Sequence, residues 1–128
     1  MLAAPLAFAG LGCAGASSQS GAELLSQLSA AMATPVDSIE TSHTHSRTTM
    51  EVVETGALER MNRVEVQAAI GRGDSCSRHP RCAEEGFSSN DWFYTIGSLG
   101  STGATAPILI VGFDREGIVD RTWYLRTH

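Results

Sequence analysis

The sequence predicts an α+β domain in which two short helices pack on one face of a three-stranded antiparallel β-meander, preceded by a signal-like and tethering segment. Three observations carry this expectation. Two stretches of helical apolar spacing lie in the middle of the chain, three β-prone runs fill its second half, and a tight Gly-containing turn joins the last two runs. With 128 residues, 42% of them hydrophobic, the chain supports one domain with one core.

Taken in order, the chain opens on an apolar run over residues 2–12, and the first charged side chain is Glu23. The run is shorter than the roughly 20 residues of a membrane-spanning helix but has the length of a signal-peptide hydrophobic region. No Lys or Arg precedes it, so an authentic start further upstream is expected. Gly12-Cys13 resembles a lipobox, in which the Cys becomes the lipid-modified first residue of the mature protein. Ordinary cleavage after Ala9 or Ala16, each closing an A-x-A pattern, is the alternative. The small residues 14–20 read as a flexible tether.

Ser20-x-x-Glu23 forms a capping box, and Leu24, Leu25, Leu28, Ala31 and Met32 share one helical face before Pro35. This amphipathic helix either packs on the domain or docks elsewhere. Its polar face lacks the Lys and Arg of a membrane-surface helix. Residues 35–49 are polar and read as a loop, where His43 and His45 stand either as a solvated pair or as a chelating one. The organisation expected is thus a signal-like segment over 1–13, a tether with one short helix over 14–49, and the domain proper over 50–128.

Met50, Val53, Ala57 and Leu58 lie at helical spacing, and Gly56 marks the end of a two-turn helix. Asn62-x-x-Glu65 is a second capping signature, followed by Val66, Ala69 and Ile70 and stopped by Gly71, which predicts a helix over 63–70. No periodicity organises the next stretch. Within it, Cys76 and Cys82 bracket a short loop, and a disulfide closing that loop is expected in an oxidising compartment. The competing readings are a zinc site on Cys76, His79 and Cys82, with His43 or His45 as a distant fourth ligand, or two free thiols. The spacing matches no standard finger or ribbon and Pro80 stiffens the loop, so no metal and no cofactor is expected.

Residues 92–96 read as a strand, with Trp92, Tyr94 and Ile96 on one side and Phe93 and Thr95 on the other. A Gly-, Ser- and Thr-rich connection over 97–106 leads to a strand over 108–113. Asp114-Arg115-Glu116-Gly117 then turns the chain into a third strand over 118–125. With helices on one face of this meander, the other face is expected to stay open.

Function classes narrow accordingly. The net charge is −5 and the nine basic residues are scattered, so no stripe exists to neutralise a nucleic-acid backbone. The one titratable cluster, Asp74, His79, Glu84 and Glu85, falls in the least organised segment, and Asp114 and Glu116 are explained as turn residues. The expectation is a protein without enzymatic activity.

Three motifs together resemble the SmpA/OmlA (BamE-like) family. Arg60-Met61-Asn62-x-x-Glu65-Val66-x-x-Ala69-Ile70-Gly71 is similar to the family's "G-M-T-x-x-Q/E-V-x-x-x-L-G" helix, Asn90-Asp91-Trp92-Phe93-Tyr94 to its "W-F/Y-Y" strand, and residues 109–119 to "L-x-V-x-F-D-x-x-G-V". The resemblance covers roughly residues 52–125. It implies a lipid anchor, here Cys13, and a place on the periplasmic face of the bacterial outer membrane as an accessory to the machinery that inserts β-barrel proteins. It also implies partner contacts from the outward-facing residues of the first strand, Phe93 and Thr95, and contact with anionic phospholipid, although the position expected to be basic is Gly97. Arg60 stands where the family has Gly, and the Cys76 to Cys82 loop is an insertion. The rival expectation is a secreted inhibitor or binding module of the β-lactamase-inhibitor layout, which docks on a soluble enzyme.

Overall fold

The computed structural model describes residues 20–97 and 106–125, so Cys13 and its lipobox-like context lie outside the described residues. The first helix, α1, spans Gly21–Met32 and starts on the capping box: Ser20 Oγ accepts the Glu23 N–H at 3.1 Å while Glu23 Oε1 accepts the Ser20 N–H at 3.2 Å. Leu24, Leu25, Leu28 and Ala31 are buried against the rest of the domain. This helix is a wall of the core.

The loop expected over 35–49 is instead most of a long helix, α2, Ile39–Thr55. Ser38 caps it by accepting the Thr41 N–H at 3.0 Å, and Gly56 ends it at φ 70°. The helix escapes a hydrophobic-pattern reading because its buried side is Ser42, His45, Ser46, Thr49 and Val52, of which only the last is aliphatic. Thr49 and one nitrogen of His45 are satisfied locally, whereas the buried His45 Nδ1 has no hydrogen-bond partner among the described residues. Thr49 Oγ1 donates to the His45 carbonyl at 2.8 Å, and His45 Nε2 lies 3.0 Å from the Thr34 carbonyl. His43 is exposed while His45 is buried, so the helix separates the two rings that a loop would have let converge. A domain boundary at residue 50 therefore falls inside α2, and residues 21–49 belong to the packed unit.

Helix α3 spans Arg63–Ile70 and follows the second capping box, in which Asn62 Oδ1 accepts the Glu65 N–H at 2.8 Å and Glu65 Oε1 accepts the Asn62 N–H at 2.9 Å. Val66 and Ile70 point into the core. Arg60 holds φ 72° between α2 and α3, a left-handed conformation that only Gly adopts without penalty. Its N–H donates to the Val119 carbonyl at 3.0 Å, and the Val119 N–H donates to the Met61 carbonyl at 2.8 Å, which ties this connection to the sheet.

The sheet is antiparallel and has four strands rather than three: β1 Asp74–Ser75, β2 Trp92–Thr95, β3 Ile108–Phe113 and β4 Val119–Leu125, in that spatial order. The additional strand is two residues long, too short to leave a pattern, and pairs Asp74 with Phe93 and Ser75 with Trp92. Trp92, Tyr94 and Ile96 meet Leu109, Val111 and Val119 beneath α1 to α3 to form the main core. Burial raises the Tyr94 phenol above its ordinary pKa, and its hydroxyl donates to the Gly71 carbonyl at 2.7 Å. At the hairpin, Asp114 Oδ1 accepts the N–H groups of Glu116 and Ile118 at 2.8 and 3.0 Å, and Gly117 sits at φ 79°. These bonds confirm Asp114 as a turn residue.

Candidate docking face of the sheet

Alternation along each strand sends Phe93 and Thr95 of β2, Ile108 and Ile110 of β3, and Trp123 and Leu125 of β4 to the face away from α1 to α3. An open face was expected here. The structure closes half of it with the segment between β1 and β2, which folds as a 3-10 turn, Cys76–Arg78, and a one-turn helix, α4, Pro80–Glu84, with Pro80 at its first position. The Cys76–Cys82 disulfide is present, with Cα atoms 5.6 Å apart, so neither thiol is left as a metal ligand. Among the described residues, no group of three or more His, Cys, Asp or Glu side chains is placed to hold a metal ion.

Both sulfurs pack with Phe87, Phe93 and Ile110 in a second, smaller core. Sequence periodicity identified the face of Phe93 correctly but not its cover. Phe93 is only 6% exposed, and the His79 ring lies flat on it with centroids 3.7 Å apart and planes within 6°. The expectation that Phe93 meets a partner is thereby corrected, because the disulfide loop occupies its outer face. Phe87 anchors the far end of the loop. Its N–H donates to the Cys82 carbonyl at 2.8 Å, the Arg121 guanidinium lies 4.0 Å from its ring centroid and hydrogen-bonds the Gly86 carbonyl, and a Cβ on Gly112 would stand 2.9 Å from the ring. Gly112 is therefore the strand position that lets Phe87 lie down on the sheet.

Asp91 fixes the other end of this loop. Although its side chain is buried, Oδ2 accepts the Ser88 N–H at 2.8 Å and Oδ1 accepts the Phe113 N–H at 2.9 Å, beside the β-bulge at Gly112/Phe113. A carboxylate here satisfies two backbone donors at once.

What remains of the face lies toward the end of β2. Thr95 is exposed, as expected of a contact residue, and Ile108, Trp123 and Leu125 around it are half-buried. The Arg81 guanidinium sits 5.9 Å from the Trp123 ring centroid, and its Nη1 is 3.5 Å from Glu84 and 3.8 Å from Glu85. An aromatic residue bordered by Arg and aliphatic side chains is the composition found at the centres of protein interfaces. Sequence reasoning named Thr95 but missed Trp123. The signal was available in principle, since Trp123 pairs across the ladder with Ile110 and must share its face.

The titratable residues singled out in this region fall into two separate groups. Asp74 lies 3.7 Å from His79, while Glu84 and Glu85 turn to Arg81. The disulfide removes the two thiols as nucleophiles. No helix among the described residues is long and apolar enough to cross a membrane. Comparison with protein-family models, with curated proteins and with solved structures finds no match.

Proposed function

We propose that this protein is a non-enzymatic binding module of the bacterial envelope that docks a protein partner on the half-open sheet face around Thr95 and Trp123. The observation that carries the proposal is the partial cover: the disulfide loop closes Phe93 and Ile110 but leaves Thr95, Ile108, Trp123 and Leu125 as an apolar patch with Arg81 at its border. A buried disulfide suits an oxidising compartment, in agreement with export. On this reading a lipid on Cys13 holds the domain at the periplasmic face of the outer membrane and raises its effective concentration near membrane-bound partners. The partners are then subunits of the machinery that assembles β-barrel proteins, as the resemblance to SmpA/OmlA domains implies. Two further observations support that resemblance. The Asn62–Glu65 motif starts a helix packed on the sheet, and Arg60, where the family has Gly, occupies the left-handed conformation that would select Gly.

The test is a photo-crosslinking residue at position 95 in growing cells, followed by mass spectrometry. Crosslinks to barrel-assembly subunits from a membrane-resident, acylated protein support the proposal. Crosslinks to a soluble secreted enzyme instead favour an inhibitor-type module, a reading supported by the four-stranded antiparallel sheet with three helices on one face. A protein that yields no adduct at position 95 and carries no lipid contradicts both the docking face and the anchor.

A further inference from the structure

The nine basic side chains of this chain are all arginines, set against fourteen carboxylates. Among the described residues the arginine–carboxylate ion pairs belong to Arg81. Two of the other arginines, Arg63 and Arg72, line one concavity of about 450 Å³, together with the hydroxyl residues Ser75 and Ser89 and with Asn90 and Trp92. No acidic residue lines it. The neighbouring concavity has Arg63 and Arg115 in its wall together with Asp114 and Glu116, so its charge is balanced.

Arg63 is held in place before any ligand arrives. Its guanidinium lies 4.0 Å from the Phe113 ring centroid and 5.5 Å from that of Trp92, and Nη1 donates to the Asn90 carbonyl at 3.0 Å. A stacked guanidinium loses little freedom on accepting an oxyanion. The carboxylates nearest in sequence are committed elsewhere: Glu65 to the Asn62 N–H, Asp91 to the N–H groups of Ser88 and Phe113, and Asp74 to His79. Arg63 and Arg72 thus line one cavity whose own wall carries no carboxylate, in an acidic protein.

We infer that this concavity is a phosphate-dianion site, taking inorganic phosphate or a phosphomonoester. The charge count selects the ligand. Two arginines match the roughly −1.5 to −2 charge of a phosphomonoester near neutral pH, whereas a carboxylate or a phosphodiester would leave one guanidinium unneutralised. The serine hydroxyls and the Asn90 side chain supply neutral polar groups at the wall.

The test is a titration of isotope-labelled protein with sodium phosphate against chloride at constant ionic strength, following the Trp92 indole and the Asn90 amide by NMR. Saturable shifts are expected with phosphate and not with chloride. Arg72→Gln, at an exposed residue, should weaken the phosphate response by at least about tenfold, while Arg78→Gln, outside the cavity, should leave it unchanged. Glycerol phosphate should compete with inorganic phosphate. Equal shifts with phosphate and chloride, or an Arg72→Gln protein that responds like the original, overturn the assignment. Preferential binding to phosphatidylglycerol vesicles, insensitive to Arg72→Gln, overturns it in favour of a diester-bearing membrane surface.

Discussion

Replacing Cys76 and Cys82 together by Ala cuts the bond that holds the cover on the sheet. The cysteines are separated by 6 positions, and in the chain-entropy account closing so small a ring is worth about 2 kcal/mol. Removing the two sulfurs also thins the small core they form with Phe87, Phe93 and Ile110, at a further cost of about 1 to 2 kcal/mol. The sum, about 3 to 4 kcal/mol, is a large part of the 5 to 15 kcal/mol of a typical domain, yet it falls mainly on the satellite core. Urea unfolding should shift by that amount. Amide exchange should rise over residues 76–93, while the amides of Leu28 and Val52 in the main core keep exchanging only through global unfolding. A double variant that unfolds within about 0.5 kcal/mol of the original, or that loses protection in α1 as readily as in the loop, would refute the two-core account.

Other substitutions test single links. Asp91→Ala strips the acceptor from two part-buried backbone N–H groups and should cost about 2 to 4 kcal/mol by denaturant unfolding. Leu28→Ala, at a side chain with no exposed surface, should cost about 2 to 5 kcal/mol; a negligible effect would return α1 to the status of a tether. Arg60→Gly relieves a left-handed conformation worth about 1 to 2 kcal/mol and gives back about 0.5 to 1 in backbone entropy, so thermal stability should hold or rise slightly. Tyr94 carries the pH dependence. Its folded pKa is raised by burial, so its contribution is complete below the unfolded value of about 10 and declines as pH climbs beyond it. Tyr94→Phe should flatten the alkaline limb of a stability–pH profile.

The elements legible in the sequence were those whose signals are local. Ser20–Glu23 and Asn62–Glu65 marked two helix starts correctly because a capping box is closed within four residues. The last hairpin was readable from Asp114 and Gly117 for the same reason. Helix α2 was readable only in its last turns, from Met50 and Val53 to Gly56; before them its inward face is built of Ser42, His45, Ser46 and Thr49, which read as solvent-facing until helix α1 is placed over them. Strand alternation correctly put Phe93 and Thr95 on the face opposite the helices. What it lacked was the long-range fact that a disulfide loop folds back over the first and not the second, and that Trp123 joins them from β4. Half of the candidate site was therefore visible as a face, and the cover that shapes it was not.

If Trp123 serves binding rather than folding, Trp123→Ser measured for both stability and partner capture separates the two roles. Trp123 is half-buried at the edge of the small core, so a stability loss of no more than about 1 to 2 kcal/mol is expected together with loss of the adducts formed from position 95. Undiminished capture by a folded Trp123→Ser protein would contradict the docking face itself.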